Sequence, residues 1–375
     1  MNAGDQNLML GEWAETVPSE LMSSPVAHGS RLVIFLHRPD GAFFTDWDWP
    51  ETHPMGGSES SALHLAREFR ARGFSVLLTN RVDDLRRPCD IFVSARTWEI
   101  FHLGIRPGKL NYLWCTDDTD QPSVAKLRDP GAAAQVYRHI DAAMLLSDYQ
   151  ASRWMADLHL PANKVFMTAN GIEAARFSPG PDQLGRRGPL AYYGSTPYRG
   201  LALLLQCWPQ IRRAVPAAEL HIFSSMKIYG AEDPPEFTAL YEAARAASGV
   251  SYHGAQGQAA IRATSRECRA LAYPCIFPET SCITAMEAMA SGCAVVSTAT
   301  GALPETAAGN PLVSPGEGWL ARWQEEVIRI LTDDASYVKT ARHNLTFSAR
   351  RDWGAVAEQW IARFDQDSAK KNSAG

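Results

Sequence analysis

Pro278-Glu279-Thr280-Ser281-Cys282-Ile283-Thr284-Ala285-Met286-Glu287-Ala288-Met289-Ala290-Ser291-Gly292 is followed directly by Cys293-Ala294-Val295-Val296-Ser297-Thr298. The run LAYPCIF (271–277) before it is short and apolar and reads as a strand ending near Phe277. Thr280 or Ser281 can cap a helix, small residues fill its body, and Gly292 can end it in the left-handed conformation. CAVVST (293–298) is then a second buried strand, so the segment is a strand–helix–strand unit, which requires a parallel sheet. Glu279 falls at the carboxyl edge of that sheet beside a helix N-terminus. Unpaired backbone N–H groups and the helix dipole make an anion site there. Glu287 lies two turns further along, among alanines that read as packed.

The same alternation extends in both directions. Toward the N-terminus run LAYYGS (190–195, strand), GLALLLQCWPQIRRAV (200–215, helix), AELHIFSS (218–225, strand) and GQAAIRATSRECRA (257–270, helix). Beyond 300, an amphipathic helix covers 317–334 and a last helix lies around 351–366. A separate series opens at RLVIFLH (31–37) and continues through a helix at 58–73 ending on Gly73, then FSVLLTN, CDIFVSA, LNYLWCT, AAMLLSD and KVFMTAN. Strands alternating with helical stretches give two doubly wound α/β domains in tandem, with the cleft between them as the ligand site. The boundaries read as a loose arm at 1–30, a first domain at 31–175, a Gly/Pro-rich linker at 176–188 and a second domain at 189–350. A closing helix at 351–368 and a polar tail at 369–375 complete the chain.

At 375 residues the chain is long enough for two or three domains of about 150 residues. Hydrophobic residues make up 46% and charged residues 21%, which excludes disordered and collagen-like classes. A net charge of -5 lacks the basic footprint of a dedicated nucleic-acid binder. No apolar run approaches the roughly 20 residues that span a bilayer, and the N-terminus lacks the pattern of a signal peptide. Seven scattered cysteines without a CxxC pair read as reduced thiols, and the location expected is the cytoplasm. Neither GxGxxG after the first strand, nor GxxxxGK[ST], nor GxSxG occurs. Nicotinamide dehydrogenase, P-loop NTPase and α/β-hydrolase readings therefore fall away. The histidines show no HxH or HxxxH pair, so no metal site and no cofactor is expected.

The E-x7-E spacing of Glu279 and Glu287, followed by SG-CAVVST-ATGALPE, resembles the donor-site signature of glycosyltransferase family 4, the group 1 family of GT-B architecture. The likeness extends to the loop Gly194-Ser195-Thr196-Pro197-Tyr198-Arg199-Gly200, to Asn170-Gly171-Ile172 with Phe177-Ser178-Pro179, and to Gly56-Gly57-Ser58-Glu59. It implies an enzyme that moves a sugar from a nucleotide-sugar substrate to a saccharide or lipid-linked acceptor hydroxyl, mostly with retention and without metal. By that resemblance Glu279 contacts donor-sugar hydroxyls, Glu287 binds the ribose, and the backbone at Thr280, Ser281, Cys282 and Ile283 approaches the sugar diphosphate. Gly194, Ser195, Thr196 and Arg199 form the phosphate loop, with Arg199 in the place of the family's lysine. Gly254, in SYHGA, stands where the base lies against backbone.

Two departures from the family pattern stand out. Ser195 occupies the place of an arginine, which leaves Lys227 as the candidate second cation. Thr116-Asp117-Asp118 replaces a loop that often carries histidine. Asp117 or Asp118 then positions the acceptor hydroxyl, or neither does and the leaving phosphate is the base; the bland reading is a capping cluster. The aromatic loop with Phe43, Phe44, Trp47 and Trp49 offers flat faces for a sugar ring, or folds on itself. As part of the first domain it is assigned with His37, Gly56, Gly57 and Asp118 to the acceptor. Asp46-Trp47-Asp48 is a coincidental DxD, because it ends no strand. Arg67, Arg70 and Arg72 on the helix at 58–73 read as a solvated face, with peripheral membrane contact as the rival reading. The alternatives to a transferase are a non-catalytic nucleotide-sugar or glycan binder and a nucleotide-sugar epimerase or phosphorylase of the same architecture.

Overall fold

The computed structural model describes residues 29–37, 47–180 and 183–374. The strands in chain order are β1 (Arg31–Leu36), β2 (Ser75–Thr79), β3 (Cys89–Ala95), β4 (Gly108–Trp114), β5 (Ala142–Leu145), β6 (Val165–Met167), β7 (Leu190–Gly194), β8 (Glu219–Phe223), β9 (Val250–Tyr252), β10 (Ala270–Tyr273), β11 (Ala294–Thr298) and β12 (Leu312–Val313). The longer helices are α1 (Gly57–Ala71), α2 (Pro130–His139), α3 (Asp148–Asp157), α4 (Leu201–Ala214), α5 (Pro235–Ala246), α6 (Gln258–Ser265), α7 (Ile283–Ala290), α8 (Trp319–Thr332), α9 (Asp334–Ser348) and α10 (Trp353–Ala374).

The chain forms two compact units. One gathers the residues up to Trp47, Ser58–Asn170 and Trp353 onward; the other gathers Asp48–Gly57 and Gly171–Asp352. Each holds one parallel six-stranded sheet.

In the first unit the strand order is β2-β1-β3-β4-β5-β6. Side chains alternate between two buried faces, as the period of two demands when both sides of a sheet are covered. Leu32, Ile34, Ile91, Val93, Leu110, Tyr112 and Trp114 pack on one face with α1 and α10, through Trp353, Trp360 and Phe364. Val33, Phe35, Phe92, Leu113, Ala143 and Leu145 pack on the other. The closing helix therefore supplies core to the first unit. It remains helical through Ala374, so the polar stretch expected as a tail from 369 is mostly part of it.

In the second unit the order is β12-β11-β10-β7-β8-β9. Counted within the unit this is 6-5-4-1-2-3, the classic dinucleotide-fold order, whose direction reverses between β7 and β10. Residues 176–188, expected as a connector, are bound into the unit. Leu184 joins its core. The buried Arg187 guanidinium donates to Cys268 O at 2.7 Å and to Ser291 O, at the end of α7, at 2.6 Å. α5 and α9 had no clear signal in the sequence; α9 is capped by Asp333, whose side chain accepts from Ser336 N at 3.0 Å.

Candidate functional site

The crevice at a strand-order reversal is where an open α/β sheet binds ligands, just outside the strand carboxyl ends. In the second unit β7 and β10 deliver two loops there. β10 ends at Tyr273 rather than near Phe277, because Pro274 has no N–H to continue the ladder. Residues 274–282 are thus freed to form the loop that carries Glu279. The β7 loop is pressed against it. Gly200 has φ +128°, and a Cβ there would lie 2.2 Å from Pro274 O. Ile276 N donates to Arg199 O at 3.4 Å.

That approach brings Arg199 to Glu279. Arg199 Nη1 lies 2.7 Å from Glu279 Oε1, and the Tyr273 hydroxyl donates to the same oxygen at 2.6 Å. Ser195 Oγ is 3.4 Å from the Tyr273 hydroxyl. Phe277 stacks under the guanidinium at 4.6 Å. The buried Nε of Arg199 has no partner among the described residues. Glu279 is only 4% exposed, and its backbone is clamped by the turn that follows β11. Ala302 N donates to Glu279 O at 2.7 Å, and at Gly301 (φ +60°) a Cβ would meet that oxygen at 2.5 Å.

α7 starts beside this cluster. A Cβ at Gly194 would lie 3.1 Å from Thr284 Oγ1, so the β7 loop abuts the first turn of the helix. The N-cap is Cys282, not Thr280 or Ser281, and it makes no side-chain capping bond. Gly292, with φ +76°, follows the helix end as expected. Glu287 is buried within the helix, and burial pushes its carboxyl up to about 8, against the opposing pull of the Gln258 hydrogen bond and the Arg262 cation.

The segment Asp48–Gly57 belongs to the second unit, which removes the ground on which Trp49, Gly56 and Gly57 were grouped with a first-domain loop. The reason is an ion-pair clasp that sequence spacing does not reveal. Glu51 takes Arg262 at 2.6 and 3.2 Å and Arg176 at 2.7 Å. Arg262's hydrogen bond holds the Glu51 carboxyl below its usual range despite partial burial. Gly257 lets the strap backbone approach, since a Cβ there would lie 2.5 Å from Glu51 O. At the strap's other end Gly57 sits against Ile283, the first residue of α7, with a Cβ-to-Cδ1 distance of 3.2 Å. Trp49 stacks on His53 at 3.6 Å, and Gly56 is buried.

In the first unit Trp47 lies under the Arg70 guanidinium at 4.7 Å. His37 follows β1, and burial lowers its pKa. Asp117 receives Arg96 at 3.1 and 3.2 Å and the Ser123 hydroxyl at 2.7 Å. Asp118, fully buried, receives Arg153 at 2.8 Å, the Tyr149 hydroxyl at 2.8 Å and Thr119 N at 2.7 Å. Both carboxylates are therefore tied into the fold of their own unit. Lys227 is exposed, 4.0 Å from Glu232. Gly254 (φ +70°) follows His253, whose Nε2 is 3.0 Å from His221 Nδ1. Phe43, Phe44 and Asp46 lie outside the described residues. Among the described residues no group of three or more His, Cys, Asp or Glu could hold a metal, and no helix is long and apolar enough to cross a membrane.

Residues 188–333, which span β7 to α8 and hold every contact of the Arg199–Glu279 cluster, match the family described as glycosyl transferases group 1. Over that segment the chain is similar to group 1 glycosyltransferases. Solved structures extend the likeness, in fold, to both units. Anabaena HepE in complex with UDP and glucose is 14% identical with a TM-score of 0.64, covering 92% of this chain and 100% of that one. WaaG, a glycosyltransferase involved in lipopolysaccharide biosynthesis, is 16% identical with a TM-score of 0.63, covering 89% and 99%. Sucrose-phosphate synthase from Thermosynechococcus elongatus is 16% identical with a TM-score of 0.67, covering 91% and 100%. At that identity the likeness is one of fold, and the fold is the two-domain GT-B architecture. No curated protein matches the chain in sequence. Tyr273, Gly301, Glu51, Gly257 and Arg262 were not singled out by sequence reasoning; the glycines among them were the one local signal available.

Proposed function

We propose that this chain is a group 1 glycosyltransferase that moves a glycosyl group from a nucleotide-sugar donor to a saccharide or lipid-linked acceptor hydroxyl, with retention and without a metal ion. The observation that carries this reading is the Arg199–Glu279 pair at the β7/β10 reversal, beside the first turn of α7. The donor's sugar lies against Glu279, whose remaining lone pairs accept from sugar hydroxyls. Its diphosphate lies between Arg199 and the first N–H groups of α7, where charge growing on the leaving group is stabilised as it develops. Glu287 binds the ribose hydroxyls one turn deeper. Because Asp117 and Asp118 are both engaged in their own unit, the departing phosphate takes the acceptor proton on the face where the new bond forms.

The test is turnover of a panel of nucleotide sugars with saccharide acceptors. Glu279→Ala is expected to lower transfer about 100-fold or more, with far-ultraviolet circular dichroism unchanged. Wild-type-like transfer by that variant would reject the site. Release of a rearranged nucleotide sugar without acceptor would make the protein an epimerase, and binding without turnover would make it a carrier.

A further inference from the structure

The paired Arg199 and Glu279 carry no net charge, yet a diphosphate brings at least two negative charges. Lys227 is exposed and faces Glu232. The N–H groups of α7 bring dipoles but no full charge, so the outer phosphate needs further hydrogen-bond donors. Among the described residues the exposed large apolar side chains are Met155, Tyr198, Tyr229 and Ile276, and two of them, Tyr198 and Ile276, flank Arg199 directly. Tyr198 precedes it, with its ring 5.7 Å from the guanidinium and 5.9 Å from Phe277. Ile276 donates its N–H to the Arg199 carbonyl. Tyr229 is close enough to Arg199 and Tyr198 to interact electrostatically with both. It is delivered by the short turn Met226–Tyr229 after β8, which Asp233 fastens through Met226 N at 2.7 Å and Ser225 Oγ at 2.6 Å. Tyr198 and Tyr229 are 38% and 37% exposed, so both are open to solvent at the carboxyl edge of the sheet.

We propose that Tyr198 and Tyr229 are donor-binding residues whose hydroxyls hydrogen-bond the outer phosphate of the donor diphosphate, in the role of the second cation. The phosphate accepts from each phenol, while Arg199 spans to the inner oxygens. Phenol hydroxyls suit a site already balanced in charge: they give directional bonds to an anion without adding a cation that would compete with Arg199 for Glu279. This assignment rests on the nucleotide-sugar reading above.

Isothermal titration of the full chain tests it. The diphosphates of adenosine, guanosine, uridine, cytidine and thymidine identify the base the wild type prefers, and the matching monophosphate serves as control. Tyr198→Phe and Tyr229→Phe are each expected to weaken the diphosphate about tenfold, equivalent to ~1.4 kcal/mol, and the monophosphate less than about twofold. Lys227→Ala is expected to change neither. Unchanged diphosphate affinity in both phenylalanine variants overturns the assignment, as does equal weakening toward both nucleotides, which would place the tyrosines at the base or in the fold. A tenfold loss in Lys227→Ala with silent tyrosine variants would give the role to the lysine. A wild type that binds none of the five diphosphates rejects the donor reading and this assignment together, whereas a wild type that binds while both tyrosine variants stay silent rejects this assignment alone.

Discussion

Glu287 shows what a single buried carboxyl does to the pH behaviour of the molecule. Its pKa rises from the ordinary glutamate range to about 8 in the folded chain because burial disfavours the charged form. Between those values the native state holds a proton that the unfolded state has lost, so stability falls as pH rises through the window. Relative to Glu287→Gln, the wild type is expected to lose stability from about pH 5 to about pH 8, by at most ~1.4 kcal/mol per pH unit. Paired denaturant titrations across that range measure it, and parallel curves would mean the carboxyl is not desolvated. Arg199 raises a different issue at the same scale. Its planar fork bonds Glu279 while other N–H groups remain, and lysine offers a single point charge. Arg199→Lys is expected to weaken nucleoside diphosphate about tenfold or more despite the retained charge, which calorimetry can read.

At the scale of elements, close backbone approaches set the site. The β7 loop reaches the β10 loop because residue 200 is glycine at φ +128°, with Pro274 O in the space a methyl would need. Gly200→Ala is expected to cost ~2 kcal/mol of stability and to abolish measurable diphosphate binding. Retained binding would show that the loop contact does not organise Arg199. The strap Asp48–Gly57 is held differently, by Glu51 on two arginines and by the opening at Gly257. Glu51→Gln is expected to speed proteolytic cleavage within 48–57 several-fold while leaving the sheets intact, and identical cleavage rates would remove the clasp from the account. Neither contact has a local signature. The glycines were legible as turn residues, but what they approach is 74 residues away in one case and more than 200 in the other.

Across the whole molecule, the first unit depends on the far end of the chain. α10 lies in its core, where Trp360 is fully buried and its Nε1 donates to Thr168 Oγ1 at 2.6 Å. Trp360→Ala is expected to destabilise that unit by ~3–5 kcal/mol. In a chain of two units the loss should appear as a first unfolding transition moved to lower denaturant while the second holds, monitored by tryptophan fluorescence and by nucleotide protection of the second unit.

The sequence by itself determined the α/β alternation, the number of sheets, the E-x7-E segment and the end of α7 at Gly292. These depend on hydrophobic period, capping chemistry and glycine, all of which act within a few residues along the chain. It placed Arg199 and Glu279 in one site through resemblance, but could not say that they are bonded to each other. Only the tertiary structure decided that pairing, the docking of the strap on the second unit, the engagement of Asp117 and Asp118, and the exposure of Tyr198 and Tyr229. Ion pairs and close approaches depend on which strands become neighbours, and the 6-5-4-1-2-3 order sets β7 beside β10 across 75 intervening residues.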